Sequence, residues 1–372
     1  MKKGLHILHL VNNCNRGGAG HVILPLINEL AKHDVSFTVA YLIGPEYLKN
    51  DYIKYGAKTV LLGKNPVHIF SKLKKIITNK EHPVSLIHTH LVQASLIGRF
   101  VGKIFKIPVI TTRHYKDRSK NSNLLHILED LTLKWSDYTI AISQAVKKYL
   151  IFSRYVANKK CRTIYNPIDI NLFNPIKNVE LCSKNNIVFV GRFNKIKGIE
   201  YLIDAFNKVA DNIPKSKLIL IGRNDGNEKL LNKMIDNHPF KNQIKLLGFI
   251  NRNDIVEELK KARVYVQPSL SEGLGLSAIE AMAMECPCIF SDVGGLSELS
   301  DNCRNAVLVP PKNSNILSKE IISMWYDLNK SQSLGKSARK YVYKYFNSNI
   351  ISEQYYAVYK DMTKFQVARN IK

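Results

Sequence analysis

The chain has 372 residues, a length that suggests two domains or one large one, either of them large enough to bury a core. Hydrophobic residues at 45% and charged residues at 23% are ordinary for a soluble globular protein and exclude disorder, collagen-like repeats and low-complexity architecture. The charge is unbalanced, with 55 Lys and Arg against 30 Asp and Glu, so an anionic partner is expected: nucleic acid, a phosphorylated small molecule or an acidic membrane surface. No apolar run approaches the ~18 residues of a spanning helix, and no secretory leader is visible, so a cytoplasmic location is expected. Cys14, Cys161, Cys182, Cys286, Cys288 and Cys303 lack the spacing of a zinc site, and the one close pair, Cys286 and Cys288 about Pro287, is read as buried small hydrophobes in preference to a metal or redox pair.

Short β-branched runs alternate with longer segments of helical periodicity, the pattern of parallel α/β architecture. In the first half, strands are expected over 5–11, 35–43, 85–90, 109–113, 138–142 and 162–165. The stretch from Asn166-Pro167 to Asn185-Asn186 breaks the rhythm and is read as an interdomain linker. In the second half, strands are expected over 186–191, 217–222, 244–249, 264–267, 288–291 and 306–309. Two Rossmann-like domains of about six strands each follow. The last segment carries Ile351, Tyr355, Val358 and Met362 on one helical face, which must dock on something already built.

Parallel sheets bind ligands beyond the carboxyl ends of their strands, so the loops there are the candidates. The first is Asn15-Arg16-Gly17-Gly18-Ala19-Gly20, whose glycines would let backbone N–H groups approach a phosphate, or simply make a tight turn before a helix. After strand 186–191 comes Gly191-Arg192-Phe193-Asn194-Lys195-Ile196-Lys197-Gly198. Arg192 and Lys197 in one strand-to-helix loop could clasp a diphosphate; the alternative is two solvated surface charges. After strand 264–267 comes Glu272-Gly273-Leu274-Gly275-Leu276-Ser277-Ala278-Ile279-Glu280. Here glycine-rich backbone and a helix N-terminus would face an anion, and Glu280 could accept two hydroxyl hydrogen bonds from a ribose. The bland reading makes Glu272 a helix-end charge and Glu280 an exposed helix residue. Ser143 before Gln144-Ala145-Val146 is read as a helix N-cap. His88 and His90 close a buried strand, where packing is the competing explanation.

Gly191-Arg192 with Lys197-Gly198, and Glu272 with Glu280, resemble the signature of retaining glycosyltransferases of family 4. Arg16-Gly17-Gly18, His88-Thr89-His90, Thr111-Thr112-Arg113-His114, Asn166-Pro167-Ile168-Asp169, Leu247-Gly248-Phe249, Gln267-Pro268-Ser269 and Gly294-Gly295 before Glu298 fall in that family's order, so the resemblance covers nearly the whole chain. It implies the GT-B fold, α/β, with two Rossmann-like domains whose parallel sheets face each other across a cleft. An acceptor-binding domain would span 1–168, with the helix 350–372 packing back on it, and a nucleotide-sugar domain 169–349.

The resemblance also implies roles. Arg192 and Lys197 would bind the donor diphosphate, Glu280 the ribose and Glu272 the hydroxyls of the transferred sugar, with backbone donors from Gly273, Leu274, Gly275, Leu276 and Ser277. Gly17 and Gly18 would approach the donor from the first domain, and the loops at Arg223 and Ile250 would meet the base. His114 would lie beside the anomeric carbon, with Arg16, Arg113 and Lys116 as acceptor-side candidates. No D-x-D occurs, so no metal or other cofactor is expected, and the two cations would stabilise the departing diphosphate instead. Retention without a carboxylate nucleophile suggests front-face attack. Two alternatives stay open: a GT-B relative with other sugar chemistry, such as an epimerase or phosphorylase, or a non-catalytic membrane adaptor.

Residues 1–170 hold 26 Lys and Arg against 10 Asp and Glu, and the remainder 29 against 20. The excess sits in the half expected to bind a glycan or lipid-linked glycan acceptor. It concentrates on 68–77 and 99–106, where cations interleave with apolar residues as in helices that lie on anionic bilayers, or as in core-packed helices with a solvated Lys face. Signatures of nucleic-acid recognition are missing, so no nucleic-acid partner is expected. A peripheral position on the inner face of the cytoplasmic membrane, in the synthesis of a surface polysaccharide, is the resulting expectation.

Overall fold

A computed structural model describes residues 4–14, 18–115, 124–175, 181 and 184–370. The chain divides into two compact units, residues 1–168 with 346–372, and residues 169–345. The second unit therefore ends at 345 and the return to the first begins at 346.

The first unit runs β1 (Leu5–Asn13), α1 (Gly18–Leu30), β2 (Val35–Ile43), α2 (Lys49–Lys54), β3 (Lys58–Leu61), α3 (Pro66–Ile77), β4 (Leu86–His90), α4 (Val92–Phe105), β5 (Val109–Arg113), α5 (Leu124–Thr132), β6 (Tyr138–Ala141), α6 (Gln144–Phe152) and β7 (Cys161–Thr163). Its seven strands form a parallel sheet of order β3-β2-β1-β4-β5-β6-β7. One strand more than expected is present. β3 is a four-residue edge strand that is never fully buried, too short and too polar for its periodicity to stand out. On α6, Ser143 caps the helix, its Oγ accepting from the Val146 N–H at 3.1 Å.

The second unit runs β8 (Asn186–Val190), α7 (Ile199–Asn212), β9 (Lys217–Ile221), α8 (Glu228–Asp236), β10 (Ile244–Gly248), α9 (Arg252–Lys260), β11 (Ala262–Gln267), α10 (Leu276–Ala283), β12 (Cys288–Ser291), α11 (Gly294–Leu299), β13 (Val307–Val309), α12 (Ser314–Tyr326) and α13 (Leu328–Tyr345). Its parallel sheet has the order β10-β9-β8-β11-β12-β13. Burial on both faces requires the near-continuous apolar strands seen in Ile187–Val190 and Leu218–Ile221. Against them α7 buries Ile199, Leu202, Ile203, Phe206 and Val209, at the 3–4 residue spacing of one helical stripe.

The final helix, α14 (Ser348–Asn370), belongs to the first unit. Its entry is tied there by the Ile168 N–H donating to the Phe346 carbonyl at 2.9 Å. Ile351, Tyr355, Val358 and Tyr359 are buried, and α14 packs against α1 and β4.

Candidate functional site

In each unit the strand order reverses beside the first strand, between β1 and β4 and between β8 and β11. That reversal splays the following loops apart and opens a crevice at the carboxyl edge of the sheet. In the second unit, the crevice is bordered by the two loops that carry the candidate donor residues. Gly198 starts α7 at φ 61°, and a Cβ there would lie 2.2 Å from the Pro268 carbonyl oxygen. Only glycine lets the loops meet this closely, and the Leu270 N–H seals them by donating to the Ile196 carbonyl at 2.7 Å.

The contact brings Lys197 and Glu272, 75 positions apart, into a direct ion pair. Glu272 is held from behind. Ser269 Oγ donates to it at 3.4 Å, Gln267 donates to Ser269 at 2.9 Å, and the Tyr265 hydroxyl donates to Gln267 Oε1 at 2.6 Å. Ser277 also reaches Gln267 Oε1, at 3.3 Å. The turn Gly273-Leu274-Gly275 rests on Gly294-Gly295: a Cβ at Gly294 would stand 2.1 Å from the Glu272 carbonyl, to which Gly295 N–H donates at 3.1 Å. No side chain caps α10, which starts after Gly275. Its first-turn N–H groups, those of Leu276 and Ser277 among them, have no intrahelical acceptor, and the positive end of the helix lies beside the Lys197–Glu272 pair.

Arg192 is 60% exposed and bonds Asp225 at 2.8 Å; Asn194 shares the same carboxylate oxygen at 2.8 Å. Arg223 is in the same β9–α8 loop, its carbonyl accepting from Phe193 N–H at 2.8 Å. Arg192 and Lys197 thus each hold a different carboxylate in place of the expected joint clasp. Glu280 is not an open acceptor either: Arg252 donates to it at 2.7 Å. Burial raises the Glu280 carboxyl above its usual range, against the opposing pull of that guanidinium. Ile250, half-exposed, precedes Arg252 by two positions at the start of α9. Sequence reasoning missed Asp225 and Arg252. Asp225 stands in the loop after β9 and Arg252 is the first residue of the helix after β10, so position beyond a strand's carboxyl end is the signal that could have found them.

In the first unit the strands beside the corresponding reversal carry a cluster of buried histidines. His9 on β1 pairs in register with His88 on β4, and His90 with Thr112 on β5, so their side chains share one face of the sheet. His9 Nδ1 lies 3.1 Å from His90 Nε2, and His90 Nδ1 lies 3.1 Å from His114 Nε2. His88 bonds the Tyr359 hydroxyl of α14 and Thr112 Oγ1, both at 2.7 Å. One ring nitrogen from each of His9, His88 and His90 lies within 4.8 Å of the other two. A cation among them would have to break bonds that already engage both nitrogens of His88 and of His90. Leu91, directly after His90, sits at φ 67°, a strained conformation for a branched side chain that sequence does not reveal.

Burial keeps these rings neutral: it pushes His9 down to about 3 and His90 well below its ordinary value, and burial together with the Arg113 charge brings His114 to about 4. A neutral imidazole donates from one nitrogen and accepts at the other, so the chain has a polarity. His9 Nε2 is buried without a partner among the described residues. Were the protons to point inward, that atom would be an orphaned N–H, the costlier kind of unsatisfied group. The outward polarity leaves a bare lone pair there, makes His114 Nε2 an acceptor and puts the His114 proton on Nδ1.

Arg113 is a correction to the acceptor-side expectation. Its side chain is fully buried, bonding Glu129 and Asp130 of α5 at 2.6 Å each, with its guanidinium 3.9 Å from the Tyr115 ring centroid. Arg99, expected in a surface segment, is buried too, donating to the Glu129 carbonyl at 2.7 Å and Thr132 Oγ1 at 2.8 Å. Burial lowers its pKa to about 10. Gly18 opens α1, while Arg16, Gly17, Lys116 and Cys182 lie outside the described residues. Cys14, Cys161, Cys286 and Cys288 are buried free thiols, and Cys303 is an exposed one. A cavity of about 450 Å³ near Pro214, Arg263 and Trp325 borders the start of β9 and β11, at the sheet edge opposite these loops.

Residues 174–341 match the model of glycosyl transferases group 1, and residues 16–172 that of glycosyltransferase family 4. An uncharacterized glycosyltransferase of Methanocaldococcus jannaschii is 30% identical over 283 residues, 74% of each chain. The UDP-Gal:α-D-GlcNAc-diphosphoundecaprenol α-1,3-galactosyltransferase of Escherichia coli is 30% identical over 244 residues, 60% of this chain and 62% of that one. Among solved structures, Anabaena HepE in complex with UDP-glucose has a TM-score of 0.83 at 21% identity, covering 96% of this chain and all of that one.

Proposed function

Because the chain belongs to the GT-B glycosyltransferases of the group 1 and family 4 type, we propose that it moves a hexose or N-acetylhexosamine from UDP or GDP to a glycan or lipid-linked glycan. The transfer keeps the anomeric configuration, needs no metal and serves the synthesis of a surface polysaccharide. The observation that carries this reading is the Lys197–Glu272 pair against the N-terminus of α10.

Breaking the bond between sugar and diphosphate builds negative charge on the leaving oxygens. A preorganised cation and a helix N-terminus stabilise that charge without reorganising. Lys197 turns from Glu272 to the diphosphate when donor arrives, and Glu272 is released to accept from sugar hydroxyls. Arg192 adds the second cation, and Arg252 orients Glu280 towards the ribose. Arg223 and Ile250 border the base, and His114 contacts the transferred sugar. The UDP-Gal and GlcNAc-diphosphoundecaprenol named for the Escherichia coli relative, and the UDP-glucose bound in the Anabaena structure, favour UDP and a lipid-linked acceptor. The proposed site of the reaction is the inner face of the cytoplasmic membrane, where a lipid-linked acceptor would meet the protein; no described helix is long and apolar enough to cross a membrane.

The test is a panel of UDP-, GDP-, ADP- and dTDP-sugars followed by nucleotide release, with and without acceptor glycans. Release from a UDP- or GDP-sugar, undiminished by EDTA, and an axial product linkage from an axial donor are expected. No release from any donor would overturn the reading, and an inverted product would overturn retention.

A further inference from the structure

Helix α5 is built inside out. Glu129 and Asp130 point inward and are 1% exposed, locked to the buried Arg113 and, for Glu129, Arg99. The opposite face shows Leu124, Leu128 and Leu131, continued by Trp135, at spacings of four, three and four. Leu124 is 69% and Leu131 56% exposed. A helix rotated by its own leucines would hide them; here the buried ion pairs set the rotation and turn the leucines out.

The stripe continues onto α4, which packs against α5 and exposes Phe100 and Ile104. Lys103 binds the two together, its Nζ 4.2 Å from the Trp135 ring centroid. Lys106 and Lys134 are also exposed, and the described residues of α4 and α5 present no exposed carboxylate. The α3 cations Lys72, Lys74 and Lys75 are exposed on the neighbouring helix, joined through Phe70 and Phe105 with ring centroids 6.0 Å apart.

We propose that the α4–α5 face, with Leu124, Leu128, Leu131 and Trp135 at its centre, docks this protein on an anionic lipid surface. Contiguous apolar area of this kind is unusual on a soluble protein. Leucines flanked by Trp and rimmed by Lys are the composition of an interfacial contact: the apolar groups enter the acyl boundary, the indole stays at headgroup depth and the lysines meet lipid phosphates. The net positive charge of the first 170 residues supplies the long-range attraction. The docking element is thus mainly α5, which the sequence pattern of charge did not single out.

Vesicle binding is read without a sugar donor, so it succeeds or fails independently of the glycosyl-transfer reading. The full chain is sedimented with vesicles of phosphatidylcholine alone or mixed with phosphatidylglycerol, beside the triple variant Leu124→Ser, Leu128→Ser, Leu131→Ser. The wild type should prefer the anionic vesicles, and the variant, whose replaced side chains are exposed, should melt at the wild-type temperature yet bind at least about tenfold more weakly. The two Trp residues are Trp135 and Trp325. Emission that shifts to the blue with vesicles and is quenched by brominated lipid, lost in Trp135→Phe, would support the same face should the triple variant misfold. Equal binding to neutral and anionic vesicles, full binding by the triple variant, or a dimer that the leucine substitutions dissociate would each overturn it.

Discussion

The two units run the same strand order through their first five positions, β3-β2-β1-β4-β5 and β10-β9-β8-β11-β12, and bury different chemistry. The first threads His9, His88, His90, Thr111, Thr112 and Arg113 through its central strands, with Arg99, Glu129 and Asp130 packed over them. The second keeps its sheet mostly apolar, over Ile187, Phe189, Leu218, Leu220, Val264 and Val266 with Arg263 as the buried exception on β11, and holds Arg192–Asp225 and Lys197–Glu272 in its loops and Arg252–Glu280 between α9 and α10. A common topology therefore decides where a crevice opens, while the residues decide whether charge there is structural or available to a ligand.

Substitution of one cation in each unit sharpens that difference. Arg113→Met would leave Asp130 buried without its cation and Glu129 with Arg99 alone, and should cost about 3–5 kcal/mol of stability in urea denaturation. Adding Asp130→Asn, which leaves Glu129 to Arg99, should restore part of it. Lys197→Met removes a cation from a loop and should leave the urea midpoint nearly unchanged while lowering kcat/KM about 10²–10³-fold, or roughly 3–4 kcal/mol of transition-state stabilisation. An activity loss from Arg113→Met without a stability loss would break the comparison.

Acid separates the units by a smaller, graded effect. Burial lowers five histidines in the first unit, His6, His9, His88, His90 and His114, and among the described residues one in the second, His238. Each is neutral when folded but takes up a proton near pH 6.5 when unfolded. Its stabilisation is therefore complete above that pH and declines as pH falls, by up to ~1.4 kcal/mol per pH unit, until the folded pKa is reached, about 4 for His114 and about 3 for His9. Glu280 in the second unit and Glu129 in the first, both raised by burial, work in the opposite direction and favour the fold in acid, so the excess of buried histidines in the first unit decides the contrast. Each unit holds one Trp, so Trp325→Phe and Trp135→Phe isolate their emission. Trp135 should report unfolding at the higher pH; coincident midpoints would contradict the assignment of the acid sensitivity to the first unit.

The same contrast explains what was legible in sequence. A parallel strand buried on both faces is a continuous apolar run, so Leu218–Ile221 and Cys288–Ser291 announce themselves, whereas Lys58–Leu61 at a sheet edge does not. Lys197 and Glu272 were both identifiable because each follows a strand and precedes a helix. Arg113, the last residue of β5, stands at the same carboxyl edge, yet its role was misread, since a residue's charge does not show whether a carboxylate 16 or 17 positions on will neutralise it. The leucines of α5 look like a core stripe for the same reason: only the buried ion pairs fix which side of that helix faces in.

The smallest effect probes the polarity of the histidine chain. With protons pointing outward, His114 presents an Nδ1–H donor while its Nε2 accepts from His90. An Asn side chain places its amide nitrogen near the Nδ1 position, and a Gln side chain places its amide nearer Nε2, against His90. His114→Asn should therefore keep kcat about tenfold above His114→Gln, the value of one hydrogen bond, with KM for the donor little changed. Long-range imidazole ¹⁵N–¹H spectra of the wild type should show His9, His90 and His114 all protonated on Nδ1. The reverse ranking of the two variants, with Nε2 protonated on His114, would mean that His114 offers a lone pair and that the first unit contributes a base where a donor is inferred.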